Sequence, residues 1–242
     1  MASKERQQER AQRAAALVAA QRAKERRRRR LSIIGVFALI VVVIGAGFVI
    51  NQVRDTTKDV EGKAPAIGSK YGVAIGDATA PHKVIIYEDF VCPFCGELEK
   101  QTHTKLADLA TAGKVQVEYR PFKLLDDYSG RAAAVFGVVL EKSGPDVAKK
   151  FHDLLYANQP SEEGPFPSND KIVDLAVQAG ADADTVNAGL ADGSGKAWEA
   201  AATKQADSIG VQSTPTILLD GKVFQNGRTV DAIADNLISA VS

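Results

Sequence analysis

The sequence predicts an α/β domain that follows a single transmembrane helix. Two observations support this prediction. A run of uncharged, apolar residues follows a strongly basic N-terminus. Beyond that run, the hydrophobic patterns follow the order strand–strand–helix–strand, then several helices, then strand–strand–helix. A block of helices inserted within one sheet layer accounts for residues 71–242 as one domain, because a sheet must bury its apolar face against other elements.

Charge is divided unevenly along the chain. The 30 basic and 30 acidic side chains balance overall, yet residues 1–30 hold eleven Lys or Arg and three Glu, a net charge of +8. The remaining residues therefore carry 19 basic and 27 acidic side chains, a net charge of −8. We interpret residues 1–30 as a basic cytoplasmic tail. Nucleic-acid binding by this tail is not predicted, because no aromatic residues are interleaved with its arginines.

Residues 31–53 are predicted to form the transmembrane helix. Leu31–Ile50 contains no charged side chain, and at about 1.5 Å per residue it would span roughly 30 Å, the thickness of a hydrocarbon core. The five arginines Arg26–Arg30 precede this run, and basic flanks remain in the cytoplasm. We therefore predict a cell-membrane protein that crosses the membrane once, with a cytoplasmic N-terminus and an extracytoplasmic C-terminal domain.

A cleaved signal peptide is the alternative for this segment. It is disfavoured because the apolar run is longer than a usual signal-peptide core and no clear A-x-A cleavage site follows. A lipoprotein is excluded because no cysteine lies near the span. Residues 54–70 are polar and contain Gly and Pro, so we interpret them as an extracytoplasmic linker.

Strand and helix signals then follow in the order given above. Asp220-Gly221 predicts a hairpin turn that leads into a further short strand. Helical spacing and cap residues predict a helix from Pro93 to about residue 112, a helical insertion at about 129–210, and a closing helix. Apolar runs predict the main strands at Tyr71–Gly76, Lys83–Phe90, Lys114–Phe122 and residues 214–220.

Both cysteines of the chain lie in the motif Cys92-Pro93-Phe94-Cys95, where a predicted strand turns into a predicted helix. The first turn of a helix offers unpaired N–H groups and the positive end of the helix dipole, and both favour a thiolate over a thiol. Pro93 is well placed at the first helical position, because the N–H that it lacks would be unpaired there. Cys95, one turn into the helix, can resolve a mixed disulfide formed at Cys92. The motif therefore predicts redox chemistry.

A metal site and a purely structural disulfide are the alternatives for this pair. A structural zinc site needs four ligands, and the histidines His82, His103 and His152 lack the spacing of a zinc motif. A disulfide stabilises more when it closes a longer loop, so a bridge between Cys92 and Cys95 would add little stability. We predict neither a metal nor a bound cofactor.

The stretches "GDATAPHKVIIYEDFVCPFC" and "QSTPTILLDG" resemble a known family. They are similar to thioredoxin-fold proteins and, among these, to the membrane-anchored DsbA-like thiol–disulfide oxidoreductases of Gram-positive bacteria and actinobacteria. The long separation between the two stretches leaves room for a helical insertion. The resemblance implies a thioredoxin fold with an inserted helical domain and a cis Thr214–Pro215 bond beside the cysteines. It also implies that Cys92 and Cys95 are catalytic and that Asp89, Pro93, Phe94, Thr214 and Pro215 shape the active site.

One position departs from this resemblance. Thioredoxin and many DsbA-like proteins carry a buried acid six residues before the first cysteine, where it assists proton transfer at the second. Here that position is Ile86, whereas Glu88 and Asp89 lie nearer the motif. The departure puts proton transfer at Cys95 in question. Asp89 also has a second interpretation, as a solvated carboxylate at the end of a strand.

The resemblance implies that the protein oxidises free thiols in exported proteins. It also implies reoxidation by a quinone-linked membrane partner of the DsbB-like or vitamin K epoxide reductase-like kind. We therefore predict an extracytoplasmic protein disulfide oxidoreductase that introduces disulfides through Cys92 and Cys95. Two alternatives remain open, a disulfide reductase or isomerase and a non-catalytic, membrane-tethered chaperone or binding module.

Overall fold

The computed structural model describes residues 60, 63 and 65–242. The predicted basic tail and transmembrane helix lie outside these residues, as does most of the predicted linker. Within the described part of the chain, no helix has both the length and the apolar character that crossing a membrane requires.

Five strands form one mixed sheet in the order β1–β3–β2–β4–β5. β2 and β3 are parallel, whereas the pairs β1–β3, β2–β4 and β4–β5 are antiparallel. The predicted hairpin is present, because Asp220 (φ 51°) and Gly221 (φ 82°) turn the chain between β4 and β5 with left-handed backbone. The strands are β1, Val73–Ile75; β2, His82–Glu88; β3, Val115–Pro121; β4, Thr216–Leu219; and β5, Lys222–Val223.

The predicted order of helices around this sheet is also observed. One helix, α1, connects the parallel strands β2 and β3, and five helices, α2–α6, follow β3 before the chain returns to the sheet at β4. A side-chain oxygen caps the N-terminus of α2, α4, α5 and α7, as expected for helices that begin at Asp, Ser or Thr. The helices are α1, Pro93–Thr111; α2, Asp127–Ser143; α3, Pro145–Ala157; α4, Asn169–Ala179; α5, Ala183–Ala191; α6, Ser194–Ile209; and α7, Val230–Ala240.

The strands are shorter or shifted relative to the sequence prediction, and β1 keeps only Val73–Ile75 of the predicted Tyr71–Gly76. β2 ends at Glu88 rather than at Phe90, because the side chain of Asp89 accepts a hydrogen bond from the N–H of Val91 and turns the chain toward α1. The predicted strand after the hairpin is reduced to Lys222–Val223, which pairs only with β4 at the edge of the sheet.

β2 lies at the centre of the sheet, and its alternate side chains face opposite sides. Ile86 belongs to the larger buried cluster, which includes side chains of α1, α2 and α3. Ile85 and Tyr87 belong to a second buried cluster, which side chains of α6 complete. By the same alternation, Glu88 is on the side of Ile86 and faces the larger cluster. The end of β2 therefore carries an acidic side chain into the core.

A buried ion pair on β3 holds part of the predicted linker against the sheet. Arg120 Nη2 lies 2.6 Å from Glu118 Oε2, and both side chains are at most 1% exposed. The backbone N–H groups of Gly68 and Ser69 donate to the Glu118 carboxylate over 3.2 and 2.8 Å. Arg120 Nη2 also donates to the carbonyl of Ala66 over 2.9 Å. These residues of the linker are thus fixed by charge-assisted hydrogen bonds.

Replacing Glu118 with Gln should lower the free energy of unfolding by about 3 to 5 kcal/mol, because it leaves the buried Arg120 cation without its counter-charge. Urea unfolding followed by circular dichroism measures this change. The matched control is Glu162→Gln, which removes the same charge from an exposed position and should change stability by less than about 0.5 kcal/mol. A loss at Glu118 no larger than that of the control would contradict the prediction.

Candidate active site

The cysteine motif lies at the junction of β2 and α1, as the sequence predicts. Cys92 is the N-cap residue of α1, with extended backbone, and Pro93 occupies the first helical position. The N–H groups of Cys95 and Gly96 donate to the carbonyl of Cys92 over 3.1 and 3.2 Å. No side chain caps this helix, so the remaining N–H groups of its first turn are available to an anion at Cys92.

The two cysteines are free thiols, and β4 begins beside them. Cys92 Sγ lies 3.4 Å from the carbonyl oxygen of Thr214. The Thr214–Pro215 peptide bond is cis, as the family resemblance implies. Thr216, the next residue, pairs with Tyr87 of β2. The sheet therefore brings together two motifs that are far apart in the sequence.

The two sulfurs have opposite acidities. The Cys95 thiol donates a hydrogen bond to Cys92, and this contact, against the opposing effect of burial, lowers the pKa of Cys92 to about 6. The side chain of Thr214 and the backbone N–H groups of Phe94 and Cys95 lower this pKa further. Burial raises the pKa of Cys95 well above its ordinary value, and the neighbouring Cys92 and Glu88 raise it more. Cys92 is thus the more acidic thiol and the candidate nucleophile of the pair, and Cys95 holds its proton.

Exposed apolar side chains lie in the motif and in the segment whose N–H groups bind Asp89. The side chain of Phe94 is 59% exposed, and that of Leu125, which follows β3, is 45% exposed. Pro93 is exposed as well, and Thr214 and Pro215 are partly exposed. The motif thus presents apolar surface to solvent, where an unfolded polypeptide could make contact.

Asp89 is fully buried, so its interpretation as a solvated carboxylate is wrong. Its Oδ1 accepts hydrogen bonds from the Val91 N–H (2.9 Å) and the Ser129 hydroxyl (2.5 Å). Its Oδ2 accepts from the N–H groups of Leu124 (2.8 Å) and Leu125 (3.0 Å). The carboxylate therefore ties the start of α1 to the segment that follows β3 and to α2. The carboxylate of Asp89 thus positions the segments around the motif, while its backbone N–H hydrogen-bonds Cys95 and partly offsets the rise in the pKa of that thiol.

Gln159, which the sequence analysis did not identify, binds the backbone around Cys92 through its side-chain amide. Its Nε2 donates to the carbonyls of Phe90 (3.1 Å) and Cys92 (2.9 Å). The amide approaches α1 so closely that a Cβ on Gly96 would lie 2.1 Å from Gln159 Oε1. A side chain at position 96 would therefore displace the Gln159 amide from these carbonyls.

A buried acid is present two residues after Ile86, at Glu88. Ile86 is fully buried in the core, and Glu88, on the same side of β2, is 1% exposed. Glu88 Oε1 lies 2.5 Å from Nε2 of His152 on α3, and the other ring nitrogen of His152 lies 3.0 Å from Asp153 Oδ1. Glu99 of α1 completes the cluster and is 4% exposed.

The pKa values in this cluster are strongly perturbed. Burial raises the pKa of Glu99 to about 8, against the opposing charge of His152. Burial alone would lower the pKa of His152, but the carboxylates of Glu88, Asp153 and Glu99 raise it to about 9. Near neutral pH, His152 therefore carries a positive charge and Glu99 carries a proton.

Glu88, Glu99 and His152 are also the one group in the described part of the chain whose donor atoms, all within 4.8 Å of one another, could surround a metal ion. Both ring nitrogens of His152 already have carboxylate partners. An ion would have to displace these hydrogen bonds and the His152 proton. We therefore describe the group as a hydrogen-bonded network.

The sequence carried a partial signal for this network. Glu99 lies one helical turn after Cys95 and one before Thr102, and the periodicity of α1 assigns that face to the core. A carboxylate on a buried helical face needs a partner. The identity of that partner, His152, depends on the packing of α3 against β2 and is not visible in the sequence.

We expect the reduced protein to be alkylated at Cys92 with a half-maximal rate near pH 6, rather than near roughly 8.5 as for a free cysteine. The thiolate is the reactive form, so the rate rises as the pH increases through the pKa. Iodoacetamide labelling followed by peptide mass spectrometry measures the profile. Cys95→Ala should shift the midpoint upward, because it removes the hydrogen bond that contributes most to the shift. A native midpoint above pH 8 would contradict the assignment of Cys92 as the nucleophile.

The chain resembles known proteins in sequence and fold. A family model for thioredoxin matches residues 68–238. The reduced DsbA of Mycobacterium tuberculosis is 27% identical, with a TM-score of 0.58, over 71% of this chain and 92% of that structure. Disulfide bond formation protein D of Bacillus subtilis is 24% identical over 168 residues, 67% of this chain and 74% of its own length.

A further relative has a different overall organisation. Na(+)/H(+) antiporter NhaA 3 of Salinispora tropica is 27% identical over 170 residues, and the match spans 68% of this chain but 24% of the antiporter. This chain thus resembles only a part of that protein. The thioredoxin match, in contrast, extends from before β1 into α7. The chain belongs to the thioredoxin family and resembles its DsbA-like thiol–disulfide oxidoreductases, as the sequence predicts.

Proposed function

We propose that this chain is a membrane-tethered thiol–disulfide oxidoreductase that introduces disulfides into exported proteins. The observation that supports this proposal most directly is the contrast between the sulfurs, with the pKa of Cys92 lowered to about 6 and that of Cys95 raised. A thiol of low pKa is a good leaving group. Because its thiolate is stable, the reduced form of the protein is favoured over the disulfide form. Electrons therefore pass from substrate thiols to the cysteine pair. The names of the relatives, DsbA and disulfide bond formation protein D, support the same direction.

The proposed cycle begins with a disulfide between Cys92 and Cys95. A substrate thiolate attacks Cys92 Sγ, a mixed disulfide forms, and Cys95 leaves as a thiolate that takes up a proton. A second substrate thiolate attacks the substrate sulfur of the mixed disulfide and releases the Cys92 thiolate. The substrate gains one disulfide and transfers two electrons to the cysteine pair.

The exposed surface beside Cys92 fits an unfolded substrate. Phe94 and Leu125 present apolar side chains, and Thr214 and Pro215 border the sulfur from the side of β4. Unfolded chains expose apolar side chains that folded proteins bury, so this surface favours thiols of incompletely folded proteins. Exported proteins with free thiols are therefore the proposed substrates.

The proposed location is the outer side of the cell membrane, with residues 31–53 as the anchor. The apolar run and its basic flank support this location. Disulfides persist outside the cytoplasm, where a catalyst that forms them is useful. Reoxidation of the cysteine pair is assigned to a quinone-linked membrane partner, either DsbB-like or vitamin K epoxide reductase-like.

The reduction potential of the cysteine pair tests the direction of the reaction. Equilibration with glutathione buffers should give a potential well above the value of about −270 mV that is typical of thioredoxin. The wild-type protein, with Cys92 and Cys95 oxidised beforehand, should also oxidise a reduced, unfolded model protein, whereas Cys92→Ser should not. A potential at or below that of thioredoxin would support a reductase. Suppression of aggregation by wild type and Cys92→Ser alike, with no oxidation by either, would support a chaperone.

A membrane-impermeant maleimide tests the proposed location. In intact spheroplasts that express the full chain in reduced form, the reagent should label Cys92, and labelling should disappear in Cys92→Ser. Lysis before labelling should not increase the yield substantially. Labelling that requires lysis would place the domain in the cytoplasm and overturn the proposed location.

A further inference from the structure

The carbonyl groups that precede α1 are bound by side chains from the C-terminal end of α3 and just beyond it. The amide Nε2 of Gln159 donates to the carbonyl of Phe90 over 3.1 Å and to that of Cys92 over 2.9 Å. The hydroxyl of Tyr156 donates to the carbonyl of Asp89 over 3.3 Å. The turn between β2 and α1 is thus held by donors that follow it by at least 67 residues in the sequence.

The carbonyl of Cys92 receives three donors, although its oxygen has two lone pairs. The N–H groups of Cys95 and Gly96 lie 3.1 and 3.2 Å from this oxygen, and Gln159 Nε2, at 2.9 Å, is the nearest of the three. The Cys95 N–H has a second acceptor, because it also stabilises the thiolate of Cys92. A short bond from Gln159 to the carbonyl therefore leaves the Cys95 N–H more available to the sulfur.

Gly96 lacks the side chain that would prevent this contact. A Cβ on Gly96 would lie 2.9 Å from Cδ of Gln159 and closer still to its Oε1, and Cβ atoms essentially never come so near to another heavy atom. The three atoms nearest to that Cβ all belong to Gln159. The space beside Gly96 is therefore occupied by this amide, and a side chain there would push the amide away from the carbonyls.

The contact is not needed to fix the loop of residues 158–168, which joins α3 to α4. This loop has another anchor, because Arg131 Nη1 donates to the carbonyl of Pro167 over 2.8 Å. Gln159 itself is half-buried, and it borders two open cavities of about 710 and 410 Å³. Little of the core therefore depends on its side chain, whereas both hydrogen bonds of its amide end on the backbone around the first cysteine.

We propose that Gln159 is a positioning residue of the redox site, which holds Cys92 in the orientation in which the N–H groups of α1 face its sulfur. Gly96 takes part in the same arrangement, because its missing side chain admits the amide. The proposal rests on the proposed function, since a stable Cys92 thiolate favours electron transfer from substrate thiols. Gln159 acts through the backbone, because its amide binds carbonyl groups.

Loss of the amide should destabilise the Cys92 thiolate in two ways. The Cys95 N–H would bind the carbonyl more closely and the sulfur less. The carbonyl, without its nearest donor, would also repel the neighbouring negative charge more strongly. The contacts of Cys92 with the Cys95 thiol and with Thr214 remain, so the pKa of Cys92 should rise from about 6 without returning to the value of a free cysteine.

Alkylation of the reduced full chain with iodoacetamide over a range of pH tests this role. Gln159→Ala should raise the midpoint for Cys92 by at least about 0.5 pH unit, a roughly threefold loss of thiolate below the midpoint. Gly96→Ala should shift it in the same direction, because its Cβ displaces the amide. The matched control is Gln101→Ala, which removes an amide of α1 that donates to Asp231 instead, and it should keep the midpoint near pH 6.

A double-mutant cycle shows whether the two residues act together. Adding Gly96→Ala to Gln159→Ala should shift the midpoint no further, because no amide remains to be displaced. Gly96→Ala also tests the role through a second position, without truncating Gln159. Additive shifts would overturn the link between the two residues. A Gln159→Ala midpoint equal to that of the control would overturn the positioning role.

Equilibration with glutathione relates this role to the proposed function. At pH 7 the equilibrium between disulfide and dithiol should shift about two- to threefold toward the disulfide in Gln159→Ala and Gly96→Ala, because their thiolates stabilise the reduced form less. Alkylation needs no substrate, so the two conclusions can fail separately. Raised midpoints in a protein that oxidises no substrate overturn the proposed function and leave the positioning role standing. An active wild type with unshifted variants overturns the positioning role alone.

Discussion

The site depends on one buried carboxylate. Asp89 accepts hydrogen bonds from Val91, from Ser129 of α2 and from two N–H groups in the segment after β3. These bonds end β2, fix where α1 begins and set the direction in which its first N–H groups point. The pKa of Cys92 is sensitive to that direction, because backbone N–H groups contribute to lowering it. The charge of this carboxylate thus acts on the backbone around the motif, through hydrogen bonds to N–H groups and one hydroxyl.

The two cysteines differ because of their surroundings rather than their separation. Cys92, at the cap of α1, has donors on several sides, whereas Cys95 is enclosed by the core and faces the negative charge of Glu88. A thiolate is stabilised at one position and disfavoured at the other. The consequence is that opening or closing a disulfide between Cys92 and Cys95 moves a proton to or from a buried sulfur. The buried network of Glu88, Glu99 and His152 lies near this sulfur, because the charge of Glu88 acts on the pKa of Cys95.

Much of the fold could be predicted because its signals are local. Apolar alternation located the strands, and cap residues and glycines located the helix ends. The cysteine motif, its position at a strand–helix junction and its pairing with Thr214–Pro215 also followed from short stretches, the last through a family resemblance. The transmembrane helix at residues 31–53 remains a prediction from composition, since it lies outside the described residues. Asp89 shows the limit of such signals, because a strand-end carboxylate has the same local pattern whether it is solvated or buried.

By itself, the sequence determined which chemistry the protein offers, because two cysteines at a helix start are sufficient for thiol–disulfide exchange. Only the tertiary structure decided which charged groups surround the buried sulfur. Glu88 and His152 are separated by 64 residues, and their contact exists only because α3 packs against the end of β2. Hydrogen bonds and pKa shifts depend on distances between atoms and on the exclusion of water. Those quantities are set when separate elements meet, so no short stretch of the chain can reveal them.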